Sequence, residues 1–367
     1  MQRIITSESV NIGHPDKTCD TIADAFLDEA LRQDPKAQMA VECAIKDDLL
    51  MIYGESTTIA VIDYEKIASN ILRDIGYRDD FRFIKTISEQ SPEINKAVVG
   101  KTELTANDQG IVYGYACDET RELMPLPIMM AHKLMSRYEK WRRERVETDF
   151  FADAKSQVSI AYENDKPVAV HTILISVSHS QDILHAEIKS LIQENIINAV
   201  LSDPSFENLD TSSTKIIMNP SGAFTIWGSH GDSGCVGRKI IVDTYGGVGR
   251  HGGGCFSSKN ATKIDRSGAY YCRYVAKSIV ASGLASKCEV SASYAIGLVE
   301  PLNINIDTFS TNKVDISEIY KKVRENFDFT PANIIKELDL LKPQYKQTAC
   351  YGHFGRDEFA WEKSKKL

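Results

Sequence analysis

Apolar and polar residues follow the same order of periods three times along this chain. In the first round, a strand-like start from Arg3 to Ser7 leads through a polar loop to a helical pattern from about Asp16 to Leu31. Ile22, Phe26 and Ala30 recur there at helical spacing. Period-two runs follow from Gln38 to Ile45 and from Leu49 to Glu55, split by Lys46-Asp47-Asp48, and a helix is predicted from Tyr64 to Ile75. The second round reads Ile111 to Ala116, a helix from about Pro127 to Arg143, the strand pair Ser156 to Tyr162 and Val168 to Ser176, and a helix from Gln181 to Ala199. The third reads Lys239 to Tyr245, a long loop, a helix from about Asp265 to Ala281, strands Cys288 to Tyr294 and Asn303 to Thr308, and a helix from Ile316 to Asn326.

This order predicts an α+β protein of three pseudo-repeated β-α-β-β-α-type domains, spanning 1–100, 101–225 and 226–363. Their mixed sheets carry helices on one face, which leaves the other faces to pack together or against a partner subunit. Two stretches break the order. Ser88 to Asn107 has little periodicity and reads as a lid or binding loop, and Leu201 to Ser213 reads as an exposed linker.

Composition narrows the class. With 367 residues, 43% hydrophobic and 26% charged, the chain can bury a large core, and disorder is excluded as the default. A formal net charge of −8 argues against a surface built for nucleic acid, so any phosphate ligand must meet a local basic pocket. The eight cysteines are spread without metal or disulfide spacing and read as reduced, mostly buried thiols. MQRIITSESVNIGHPDK lacks the apolar core of a secretion signal, and no apolar run is long enough to span a bilayer, so a cytoplasmic protein with no membrane partner is expected. The terminal KSKKL reads as a frayed, solvated tail.

The chemistry concentrates in GRKIIVDTYGGVGRHGGGCFSSKNATKIDRS, where a predicted strand runs into glycines and cations before a helix. Glycines let backbone N–H groups approach oxygens, helix N-termini favour anions, and Arg238, Lys239, Arg250, His251, Lys259 and Lys263 can neutralise several negative charges. The implied ligand is a polyanion of triphosphate size. Gly247, Gly249 and Gly252 fit G-x-G-x-x-G, but no helix opens there and no acidic residue follows at the dinucleotide spacing; a Walker A loop fails as well, because Lys259 follows Ser258.

GHPDK is the second candidate. Pro15 suits the first helical turn, and His14, Asp16 and Lys17 stand at the helix mouth. Asp16, Asp20, Asp24 and Asp28 recur at i+4, a spacing that reads as a solvated face apart from Asp16 at the mouth. Asp265 holds the matching place in the third round, so two carboxylates could carry Mg²⁺ ions that bridge phosphate oxygens. Glu42 alternates onto a face of small residues, where it reads equally as a cation ligand or as a surface pair with Lys46.

TSESVNIGHPDK, NDQGIVYGYACDET, DAKSQV, GRKIIVDTYGG, RHGGG, KIDRSGAY, YVAKSIV, SYAIGLVEP and TACYGHFGR resemble, in order and spacing, the segments of the S-adenosylmethionine synthetases, or methionine adenosyltransferases. The resemblance covers nearly the whole chain. It implies synthesis of S-adenosylmethionine from ATP and L-methionine by attack of the methionine sulfur on ribose C5′, then hydrolysis of the tripolyphosphate to phosphate and pyrophosphate. It further implies two Mg²⁺ per site, a K⁺, and a homodimer or dimer of dimers with its sites at the interface.

Carried over position by position, the resemblance gives catalytic roles to His14, Lys155, Arg238, Lys239 and Lys259. It places ATP against these and against Asp153, Phe224, Asp232 and Cys255, and methionine against Glu55, Gln90, Asp108, Asp232 and Lys263. Asp16 and Asp265 fall at Mg²⁺ positions and Glu42 at the K⁺ position, while the stretch after Gln90 matches a gating loop. The chain departs from the family where PSGRF becomes PSGAF, placing Ala223 where an arginine helps hold ATP, where GGP becomes Trp227-Gly228-Ser229, and where FSGKD becomes FSSKN. These departures keep two other readings open, an ATP-binding regulatory paralogue with little activity and a nucleotide or tripolyphosphate phosphohydrolase.

Overall fold

The computed structural model describes residues 2–89, 104–145 and 149–367. Gln90 and most of the aperiodic stretch after it lie outside the described residues. Three sheets each carry a separate apolar core on one face. The first unit contains β1 (Gln2–Val10), α1 (Pro15–Gln33), β2 (Gln38–Lys46), β3 (Leu49–Thr57), α2 (Tyr64–Ile75) and β4 (Arg82–Ser88). The second contains β5 (Gly110–Cys117), α3 (Leu126–Arg143), β6 (Phe150–Glu163), β7 (Lys166–His179), α4 (His185–Ile192) and β8 (Lys215–Met218). The third contains β9 (Gly234–Cys235), α5 (Ile264–Ala281), β10 (Lys287–Tyr294), β11 (Asn303–Asp307), α6 (Ile316–Asn326) and α7 (Pro331–Glu337).

Each unit lends its first strand to another unit's sheet. β1 pairs with β6 in the sheet β1-β6-β7-β8, β5 pairs with β10 in β11-β10-β5, and β9 pairs with β2 in β4-β3-β2-β9. The exchange closes a cycle, so the units are braided and the loops that follow the lent strands meet across unit boundaries. Parallel edges β3–β4 and β7–β8 make two of the sheets mixed. The predicted α+β architecture of three units with one-sided helices is therefore what forms.

Local differences from the pattern have physical causes. Lys239 to Tyr245, predicted as a strand, contains a short helical turn at Ile240–Asp243 instead, and the third unit's lent strand is the pair Gly234–Cys235. The β-branched run loses to tertiary anchoring, because Asp243 is tied to Lys17 and its N–H donates to the Lys239 carbonyl at 2.9 Å. The segment 201–213 is exposed for most of its length but pinned by Phe206, which is buried in the second core. The C-terminal tail is docked rather than frayed: Lys365 N–H donates to Ser278 Oγ at 3.0 Å, Leu367 N–H to Ser282 Oγ at 2.9 Å, and the Lys365 ammonium pairs with Glu337. All eight cysteines are free thiols, six of them buried.

Candidate active site

The GHPDK loop is fixed before its side chains act. Asn11 N–H and Gly13 N–H donate to the carbonyls of Ala154 and Ala152 on β6, at 2.9 and 3.1 Å. A Cβ at Gly13 would lie 2.4 Å from the Ala152 carbonyl carbon, so only glycine lets the loop approach the DAKSQV strand this closely. His14 then caps α1, its Nδ1 accepting from the Asp16 N–H at 3.2 Å, with Pro15 in the first turn. An accepting Nδ1 puts the imidazole proton on Nε2. Burial, and next the nearby Lys239 and Lys155, hold the His14 pKa down at about 2, so the ring is neutral.

Asp16 is 1% exposed. Its Oδ1 accepts the Cys235 N–H at 2.9 Å, its Oδ2 accepts the Lys239 ammonium at 2.6 Å, and Arg238 stands 3.5 Å away. Asp153 on β6 accepts the Gly228 N–H at 3.0 Å through Oδ2, while its buried Oδ1 has no hydrogen-bond partner among the described residues. Burial foremost raises the Asp153 pKa to about 6, and the Asp232 charge adds to the rise. Phe224 is held at the end of β7 next to Asp153: the Phe224 N–H donates to His179 Nε2 at 3.1 Å, the His179 backbone N–H to the Phe224 carbonyl at 2.9 Å, and the adjoining Ser178 hydroxyl to the Asp153 carbonyl at 2.6 Å. His14, Asp16, Asp153, Lys155, Phe224, Asp232, Arg238 and Lys239 thus form a first set at the mouth of α1.

A second set forms where the glycine-rich loop meets α5. Lys259 donates to Asp265 Oδ2 at 2.5 Å. A Cβ on Gly254 would stand 2.4 Å from the Asp265 carboxyl carbon, so the glycine is what makes room for that carboxylate. Burial opposes the Lys259 charge, but Cys255 and Asp265 outweigh it and the pKa rises. Lys263 shifts the other way, lowered chiefly by burial and then by Lys259, against the pull of Glu55, Asp108 and Asp265. Glu42 on β2 accepts from the Tyr53 hydroxyl at 3.2 Å and lies close enough to Lys259 and Cys255 to act on their charges. Glu42, Glu55, Asp108, Cys255, Lys259, Lys263 and Asp265 therefore come together, with Glu42 paired to Tyr53 across the strands. Arg250 instead turns toward Glu289, at 3.4 Å.

Sequence reasoning missed the device that spaces the two sets. Asp20, Asp24 and Asp28 of α1, read as a solvated face, are buried, as is Asp16 at the mouth. Each accepts backbone N–H groups of the third unit: Asp16 from Cys235, Asp20 from Gly237, Asp24 from Ser258, and Asp28 from Tyr345 and Lys346, at 2.8–3.0 Å. Asp24 also holds Arg266 with two bonds of 2.7 and 2.8 Å. One carboxylate per turn is the signal that the spacing did carry, since a solvated face needs no such regularity. Asp16 and Asp24 are eight residues apart, about 12 Å along the helix, so the Lys239 ammonium on Asp16 and the Ser258 N–H on Asp24, just before Lys259, are anchored two turns apart.

As a fit for metal, the described residues contain no group of three or more His, Cys, Asp and Glu side chains that would cage an ion. Asp16 and Asp265 are single carboxylates, the donor set suited to Mg²⁺ that takes its remaining oxygens from substrate phosphates and water. No helix among the described residues is long and apolar enough to cross a membrane.

Paired cations and carboxylates at two loop–helix junctions, on three braided sheet-and-helix units, fit a transferase that handles a polyanionic substrate. Family models match nearly the whole chain: the S-adenosylmethionine synthetase N-terminal domain over residues 2–97, the central domain over 103–224 and the C-terminal domain over 226–363. The chain is also 47% identical to the S-adenosylmethionine synthase of Sorangium cellulosum (strain So ce56), over 98% of its own length and 87% of that relative. It belongs to the S-adenosylmethionine synthetase family.

Proposed function

We propose that this protein joins ATP and L-methionine into S-adenosylmethionine and then hydrolyses the tripolyphosphate to phosphate and pyrophosphate. The observation that carries the reading is the doubled lysine–aspartate pair, Lys239 with Asp16 and Lys259 with Asp265. In each, a half-buried ammonium stands on the carboxylate that suits a divalent ion, so an arriving Mg²⁺–triphosphate can take the carboxylate with its metal and the ammonium with its oxygens. Bound Mg²⁺ supplies neutralisation of triphosphate oxygens. Glu42 beside the Tyr53 hydroxyl suits K⁺.

The methionine thioether has no proton to lose, so the transfer needs no general base; the chain must position the sulfur and stabilise the departing tripolyphosphate. Neutral His14 presents its Nε2–H as a donor at the helix mouth, and Lys155, Arg238 and Lys239 bring positive charge there. Lys263 suits the amino-acid carboxylate, and Glu55 and Asp108 suit its ammonium. Gln90 and Asp232 are proposed for methionine, and Asp153, Phe224, Asp232 and Cys255 for the nucleotide.

The spacing of the two sets along α1 favours a site completed by a second copy, the first set of one chain facing the second set of its partner. The face of β2–β3–β4 that carries Glu42 and Glu55 also exposes Met51 and Ile84, an apolar margin such a partner would cover. Incubation with ATP, L-methionine, Mg²⁺ and K⁺ tests the reading through S-adenosylmethionine formation with phosphate and pyrophosphate in equal amounts. No product from folded, ATP-binding protein would instead support a regulatory paralogue, and methionine-independent phosphate release a phosphohydrolase.

A further inference from the structure

Lys17 follows the proposed metal-binding Asp16 directly, yet it is completely buried and cannot touch a substrate. Its ammonium donates to Asp20 Oδ2 at 2.8 Å and to Asp243 Oδ1. Asp20 uses its other oxygen to accept the Gly237 N–H at 2.9 Å. One buried ammonium thereby holds both ends of the segment 237–243, and the two charged residues inside those anchors are Arg238 and Lys239, the cations at the helix mouth. Asp243 in turn is fixed to the C-terminal wrap, its carbonyl accepting the His353 N–H at 3.0 Å.

We propose that Lys17 and Asp243 are positioning residues for the phosphate grip: their buried contact clamps the 237–243 segment against α1 so that Arg238 and Lys239 stand at the mouth beside His14 and Asp16. The proposal rests on the functional reading above and deepens it. A buried ion pair is a weak source of net stability, because desolvating the charges offsets most of their attraction. Two carboxylates around one ammonium are weaker still, since burial drives the Asp243 pKa up. What the arrangement does supply is geometry. The alternative local structure for KIIVD is the extended strand that its sequence favours, and in a strand Lys239 would leave Asp16.

Asp243→Ala is the informative change, because it leaves Lys17 in a balanced pair with Asp20 and strands no charge. In the full-length protein, tripolyphosphate binding with Mg²⁺, measured by calorimetry, should weaken about tenfold or more, with a parallel rise in the KM for ATP. The KM for methionine should stay within roughly twofold, and Asp243→Asn, which keeps an oxygen for Lys17, should recover most of the loss. Unchanged tripolyphosphate affinity in Asp243→Ala, or equal losses for ATP and methionine, overturns the proposal. Should that variant not fold, Lys17→Arg carries the same test, since its longer planar head displaces the segment while keeping the charge; unchanged tripolyphosphate affinity there is equally fatal. A wild-type protein that binds tripolyphosphate but forms no S-adenosylmethionine would sink the functional reading and leave the positioning measurable.

Discussion

Replacing Asp24 with alanine tests whether the carboxylate row of α1 holds the third unit in place. Asp24 is 0% exposed and its two-bond partner Arg266 is 1% exposed. Removing the carboxylate leaves a guanidinium buried without its counter-charge, at about 3–5 kcal/mol, and orphans the Ser258 N–H at about 1–3 kcal/mol more. Allowing for partial overlap of the two, the loss should be at least about 4 kcal/mol. At about 1.3 °C per kcal/mol for a chain of 367 residues, Tm should fall by about 5 °C or more in scanning calorimetry. Asp28→Ala makes the comparison sharp. Asp28 accepts two backbone N–H groups but, among the described residues, holds no buried cation within hydrogen-bond distance, and it lies at the more open end of the row, so its loss should be clearly smaller, about 1–3 kcal/mol. An Asp24→Ala protein melting within about 3 °C of wild type, or a larger effect from Asp28, would refute the account of α1 as the ruler for the site.

Three further outcomes follow. Lys259→Ala or Asp265→Ala should lower kcat by about 10²-fold or more with the fold retained, because both serve charge on the substrate; near-normal steady-state rates would contradict their roles. Asp153 has a folded pKa near 6, above its unfolded value, so the native state holds the extra proton and stability should fall as pH rises through the interval between the two. Asp153→Asn should flatten that slope in denaturation measured from pH 4 to 7. Ala223 is exposed and has room for a longer side chain, so Ala223→Arg should tighten ATP binding in calorimetry, and unchanged affinity would mean a rebuilt pocket.

The period of apolar residues was enough to place the long helices and the antiparallel strand pairs, because these are amphipathic and local: Tyr64–Ile75 and Ile316–Asn326 fall where the pattern puts them. It could not reveal the strand exchange. Whether β1 pairs with β2 or with β6 depends on contacts between residues over a hundred positions apart, such as Thr6 with Ser159. Lys239 to Tyr245 failed for the same reason, its local propensity overruled by Lys17 from the far end of the chain. The resemblance named Asp16, Lys239, Lys259 and Asp265, but the sequence held no hint that they would stand as two salt-bridged pairs. Asp20 and Asp24 were read as a solvated face because charged residues at i+4 on a helix usually face water, and only burial by a distant unit turns them into acceptors; the same burial takes Lys17 from the helix mouth into the interior.

Mixing two damaged versions of the protein tests the composite site most directly. Lys239→Met disables the first set and Lys259→Met the second, and neither alone should make appreciable S-adenosylmethionine. If each site joins the first set of one chain to the second set of another, a mixed dimer keeps one undamaged site. After subunit exchange in an equal mixture, activity should then recover to about a quarter of wild type. A mixture no more active than its separate components would contradict a site shared between two chains.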